Sequence, residues 1–138
     1  MGRVALVTGG TRGIGAACSK ALKDAGYNVA ASYAGNDDAA NAFKAETGIS
    51  VFKWDVGDYA ACEKGVAAVE AEVGPVEVLV NNAGISRDAM LNKMTAEQWS
   101  EVMRTNLDSV FNVTRQVING MRDRKFGRII SILSLIHI

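Results

Sequence analysis

Val4-Ala5-Leu6-Val7-Thr8-Gly9-Gly10-Thr11-Arg12-Gly13-Ile14-Gly15 is an apolar run that enters a glycine-rich turn and leaves it as a helical pattern. Consecutive apolar residues suit a strand covered on both faces. Gly9, Gly13 and Gly15 follow a G-x-x-x-G-x-G spacing. Glycine there lets the chain turn tightly after the strand and brings backbone close to a ligand. The following helix aims its free N–H groups into the turn, which favours negative charge. The setting of strand, glycine turn and helix reads as a dinucleotide site, with Gly9, Thr11, Arg12, Gly13, Ile14 and Gly15 around the pyrophosphate.

Short apolar runs and helical patterns alternate along the rest of the chain. Strands are expected at about 3–8, 28–33, 49–54, 76–80 and 127–132, and helices at about 13–25, 37–47, 58–73 and 96–122. Asp24-Ala25-Gly26 closes the first helix with a C-cap glycine. Thr95-Ala96-Glu97-Gln98 is a capping box. Cys62, Val66, Val69 and Val73 form one apolar stripe on the third helix. This order predicts an α/β fold: a Rossmann-type doubly wound parallel sheet, strand order 3-2-1-4-5, truncated after about the fifth strand. Its crevice falls where strands 1 and 4 diverge. A second signature, Asn81-Asn82-Ala83-Gly84, ends strand 4 at that place.

The end of strand 2 bears on the cofactor. A site for NAD usually has an acid there to bond the ribose 2′-hydroxyl. This chain has Ser32-Tyr33, with Asp37 and Asp38 only at the start of the next helix. Arg12, inside the glycine turn, can pair with a 2′-phosphate, so NADPH is expected over NADH. Tyr33 is either a neighbour of the adenine or a packing residue. Asp55 ends strand 3 and can accept the adenine amino group, with Val56 against the ring; an ordinary turn aspartate is the alternative. Asn82, Ala83 and Gly84 leave room for the ribose, and one of the two asparagines can be purely structural. Asn106 is an amide among the apolar residues of the last helix, and if buried it needs a partner.

A chain of 138 residues with zero formal net charge and interspersed acids and bases fits one domain and no nucleic-acid partner. No apolar run approaches the roughly 20 residues of a membrane span. No charged leader precedes Val4, and Leu6 stands where lipidation of Gly2 would want Ser or Thr. Cys18 and Cys62 lie in helical patterns and read as small hydrophobes. A soluble, cytoplasmic protein without a metal site is expected.

The segments Thr8 to Gly15, Asp55-Val56, Asn81 to Ile85, Asn106 and Gly127-Arg128-Ile129-Ile130 together resemble the short-chain dehydrogenase/reductase family, over residues 3 to about 132. Ser86-Arg87-Asp88 and the run from Asn106 to Met121 look most like members that reduce acetoacetyl-CoA to (R)-3-hydroxybutyryl-CoA with NADPH for polyhydroxyalkanoate synthesis. Members that reduce acyl-carrier-protein thioesters in fatty-acid synthesis are near neighbours. The resemblance implies an acyl-CoA or acyl-carrier-protein thioester substrate and a homotetrameric parent. It also implies a tyrosine proton donor, a lysine that lowers that tyrosine's pKa, a serine on the substrate carbonyl and an asparagine in a water relay. Asn106 matches the asparagine. Ser134 matches the serine in register, although Ser131 and Leu133 depart from the family's Asn-Ile-Ser-Ser.

No tyrosine in the sequence has lysine four positions on. The last six residues, Leu133-Ser-Leu-Ile-His-Ile138, fit no family continuation and match a translated transposase adapter, CTGTCTCTTATACACATC. The reading therefore expects a reductase fragment over 1–132 with a non-native tail over 133–138, inactive by itself. On that reading the match at Ser134 is a coincidence and His137 has no role. A non-catalytic dinucleotide-binding protein is the alternative. A fragment should also self-associate, through an exposed fifth-strand edge and through whichever of Val102, Val110, Val113 and Val117 face outward.

Overall fold

A computed structural model describes residues 2–133 of the chain. At its centre lies β1 (Val4–Val7), every residue of which is buried. Side chains alternate across a strand, so Leu6 enters one core and its neighbour Val7 the other. β2 (Asn28–Tyr33) and β4 (Val76–Asn81) flank β1, with β3 (Ser50–Lys53) and β5 (Arg128–Ser131) outside them. All pairings are parallel and the order is 3-2-1-4-5, as the sequence implied.

α1 (Gly13–Asp24) and α2 (Asp37–Thr47) cover one face of the sheet. Their core joins Val7, Val29, Ala31, Phe43, Ile49 and Val80, with Cys18 and Leu22 of α1 packed against it. α3 (Tyr59–Glu72) covers the other face, where Cys62, Val66 and Val69 meet Leu6, Leu79, Val113 and Val117. Both cysteines are free thiols, and burial pushes the Cys62 thiol up to about 11. Gly26, at φ 90°, continues the turn that closes α1. The capping box is formed: Gln98 N–H donates to Thr95 Oγ1 at 3.1 Å and Thr95 N–H to Gln98 Oε1 at 2.9 Å.

The structure corrects the last helix in one respect and decides which of its valines face outward. The expected single rod over 96–122 is α4 (Ala96–Met103), one wide π turn over Arg104–Asp108, and α5 (Ser109–Asp123). A π turn inserts a residue without ending the helix, so an apolar periodicity does not reveal it. Val113 and Val117 do not face outward. They are buried with Met121 against α3 and β4, while Val102 and Val110 are half-buried. The outward apolar side chains are Trp99, Leu107 and Phe111, each more than half exposed. β5 does form an edge strand, and all four of its residues are exposed.

Candidate functional site

A crevice of about 630 Å³ opens at the C-terminal ends of β1 and β4, a volume in the ordinary range for a small-molecule site. Gly9 and Gly13, at φ 60° and 52°, shape the turn that leaves β1. Gly15 sits so close beneath it that a Cβ would stand 2.0 Å from the Gly9 carbonyl oxygen. α1 begins at this turn with Arg12 as its N-cap and no side chain bonded to its first N–H groups. The other helices that start from loops are capped: α2 by Asn36, α3 by Asp58, α4 by Thr95. Donors of the α1 first turn are thus left for an external anion.

The β4 end is knitted to this turn. Thr8 Oγ1 accepts from the backbone N–H groups of Asn82 and Ala83, both at 3.0 Å. Asn82 Nδ2 donates to the carbonyls of Thr8 and Gly9 at 3.1 and 3.2 Å. Asn81 points away and donates to Thr114 Oγ1 on α5 at 3.3 Å, so it is the structural member of the pair. Asn106, on the π turn, is exposed rather than buried, and it grips one residue twice. Its Oδ1 accepts from Ile85 N–H at 2.7 Å and its Nδ2 donates to Ile85 O at 2.8 Å. It holds the loop after β4 as a neighbouring strand would, just behind the crevice wall.

All twelve residues expected around a cofactor line the crevice: Gly9, Thr11, Arg12, Gly13, Ile14, Gly15, Tyr33, Asp55, Val56, Asn82, Ala83 and Gly84. Val56 presents little of itself, since only 5% of its surface is exposed and its side chain belongs to the core. The Tyr33 hydroxyl donates to Asp37 at 3.1 Å, and Lys53 reaches the same carboxylate at 3.0 Å. The Lys53 bond, then that of Tyr33, holds the Asp37 carboxyl below its ordinary range. Desolvation and Asp37 raise the Tyr33 phenol. Ser134 and His137 lie outside the described residues.

Sequence reasoning passed over several residues here. Thr8 reads in the sequence only as part of the glycine motif, although a buried β-branched alcohol at a strand end is a signal for loop bonding. Arg87, Glu101 and Arg104 also line the crevice. Arg87 makes a two-point pair with Glu101 at 2.9 and 2.6 Å, and Arg104 reaches Asp55 at 2.9 Å. Arg12 alone of the three lining arginines has no carboxylate partner among the described residues.

The arrangement offers an anion seat at α1, a free cation beside it, and a carboxylate at the far end of a slot. The family model described as short chain dehydrogenase matches residues 3–137. The chain belongs to the short-chain dehydrogenase family. Its backbone superposes on that of a solved structure, described as the crystal structure of gox2181, with a TM-score of 0.91 at 31% identity, over 97% of this chain and 54% of that one. An acetoacetyl-CoA reductase of Shinella zoogloeoides is 67% identical over 135 residues, covering 98% of this chain and 56% of that protein. A 3-oxoacyl-[acyl-carrier-protein] reductase of Escherichia coli (strain K12) is 39% identical over 137 residues, covering 98% and 56%. This short-chain dehydrogenase chain therefore spans about half the length of the curated relatives it matches. Among its described residues no helix is long and apolar enough to cross a membrane.

Proposed function

We propose that this chain holds NADPH for a parent protein that reduces acetoacetyl-CoA to (R)-3-hydroxybutyryl-CoA, a step that feeds polyhydroxyalkanoate synthesis in the cytoplasm, and that the chain by itself binds without turning over. The observation that carries the cofactor is the uncapped start of α1 beside Arg12, a lining cation with no carboxylate partner among the described residues. The pyrophosphate fits the α1 end and the glycine turn, which only a glycine at residue 15 lets sit against the helix. Arg12 fits a 2′-phosphate, and the Lys53 and Tyr33 bonds to Asp37 occupy the acid nearest strand 2 that would repel it. When bound, the dinucleotide supplies hydride to the substrate carbonyl. In this reading Asn106 keeps the loop after β4 in place beside the reacting end.

The acyl-CoA substrate rests on the 67% identity to an acetoacetyl-CoA reductase, against 39% for the acyl-carrier-protein reductase. A second reading, a non-catalytic dinucleotide-binding protein, is favoured by one observation: no tyrosine here is followed four residues on by lysine. Arg12→Ala tests the cofactor. Fluorescence titration should show NADPH affinity falling about ten- to a hundredfold, as loss of a charge-assisted phosphate contact would, with NADH changed little. Equal losses for both dinucleotides would sink the assignment. Acetoacetyl-CoA-dependent oxidation of NADPH by the parent protein separates reductase from binder.

The face of Trp99, Leu107 and Phe111, with the exposed β5 edge, is further proposed to drive self-association, in line with a homotetrameric parent. Sedimentation velocity should show mass rising with concentration across the micromolar range, and Leu107→Glu should lower it. A concentration-independent monomer counts against this.

A further inference from the structure

We infer that Arg104 is a positioning residue for recognition of the adenine base, acting through the carboxylate of Asp55. The inference rests on the reading that the crevice takes an adenine dinucleotide, and it adds how the base end is read. Asp55 leaves β3 on a turn, where its carboxylate has two tethers. Oδ1 accepts from Gly57 N–H at 2.8 Å, within the same turn. Oδ2 accepts from Arg104 Nη1 at 2.9 Å, from a helix 49 residues away in sequence. The first bond alone leaves the carboxylate free to turn about its own axis. The second fixes its plane relative to α4 and the crevice.

Three features point to recognition rather than to folding. Both partners line the crevice. Each is 47% exposed at its side chain, and pairs so exposed contribute little to stability. The turn is also shaped to admit the arginine: a Cβ on Gly57 would stand 3.0 Å from Arg104 Cγ and 3.1 Å from its Nη1. The stem of Arg104 thus lies across the Asp55–Gly57 turn. Each carboxylate oxygen accepts one hydrogen bond there and keeps a second lone pair. An acceptor held this way suits the 6-amino group of adenine and opposes the 6-keto oxygen of hypoxanthine, which brings no donor at that atom.

Arg104 also opens the π turn that carries Asn106. One five-residue turn therefore fixes Asp55 on one side of the crevice and Ile85 on the other.

The test is the ratio of dissociation constants for NADPH and its hypoxanthine analogue, measured by fluorescence titration of the whole chain. The wild-type protein should favour adenine by about tenfold, the size of one charge-assisted hydrogen bond. Arg104→Met, which keeps the stem over Gly57, should bring the two ligands to near-equal affinity. Arg104→Lys should recover part of the preference. A ratio unchanged in Arg104→Met, or an absent preference in the wild type, overturns the inference while leaving dinucleotide binding intact. Failure of the wild type to bind either ligand overturns the proposed function and this inference with it. Because the readout is a ratio, a general loss of folded protein does not imitate the expected result.

Discussion

Gly15→Ala should remove dinucleotide binding almost completely, by about a hundredfold or more in affinity, while leaving a folded sheet. A Cβ at residue 15 would lie 2.0 Å from the Gly9 carbonyl oxygen and 2.6 Å from Asn82 Nδ2. Neither neighbour can swing aside, because one is backbone and the other is bonded to both Thr8 and Gly9. The glycine turn must lift off α1, taking with it the alignment of free helix N–H groups on the phosphates. Overpacking of this kind typically costs about 1–3 kcal/mol of stability, so circular dichroism should still report helix and sheet with a lowered melting temperature. Gly13→Ala is the useful contrast. Nothing lies within 4 Å of a Cβ there, and the cost is confined to a positive φ of 52°. Gly13→Ala should therefore weaken binding far less than Gly15→Ala. Wild-type affinity in Gly15→Ala would show that the turn is not where the phosphates sit.

The strands and helices could be read from the sequence because their determinants are local. Val4 to Val7, buried without exception, announce a strand covered on both faces, and the caps at Gly26 and Thr95 mark helix ends within a few residues. The crevice residues were equally legible, since strand-end glycines and asparagines declare themselves by position. The π turn was not. An inserted residue leaves the helix continuous and is set by a tertiary contact, the Asn106 grip on Ile85. The sequence left open which of Val102, Val110, Val113 and Val117 face outward for a related reason: which face of an apolar helix meets the sheet depends on its packing against α3.

The ion pairs at the crevice were illegible as well, although each residue was in plain view. Arg104 and Asp55 are 49 positions apart, and nothing in either neighbourhood selects the other. Their consequence is nevertheless large for the reading of Arg12. Three arginines line the crevice, and only after Glu101 and Asp55 are matched to two of them does the third stand out as the one without a carboxylate. The charge that the sequence picked from its place in the glycine turn is thus singled out again, independently, by pairing.

Thr8→Val should be the most destabilising conservative change in the crevice. Valine has nearly the same shape and stays compatible with a buried strand end, so the change isolates one hydroxyl. That hydroxyl accepts from Asn82 N–H and Ala83 N–H and donates to the Val80 carbonyl at 3.4 Å. Its loss strands two backbone donors, at about 1–3 kcal/mol each where water cannot replace the acceptor. Thr8 is 2% exposed, while Asn82 and Ala83 are half-buried and gain partial access to water. A total of roughly 2–4 kcal/mol follows, a large share of the 5–15 kcal/mol that holds a typical domain together. Urea denaturation should place the midpoint of Thr8→Val well below that of the wild type, with Thr8→Ser close to it because the acceptor remains. Affinity for the dinucleotide should fall in Thr8→Val as well, since the same hydroxyl ties the β4 loop to the β1 turn and so sets the width of the crevice. A Thr8→Val midpoint matching the wild type would mean that water or the Asn82 amide bonds alone hold the two loops, and the crevice would then owe its shape to the sheet and not to Thr8.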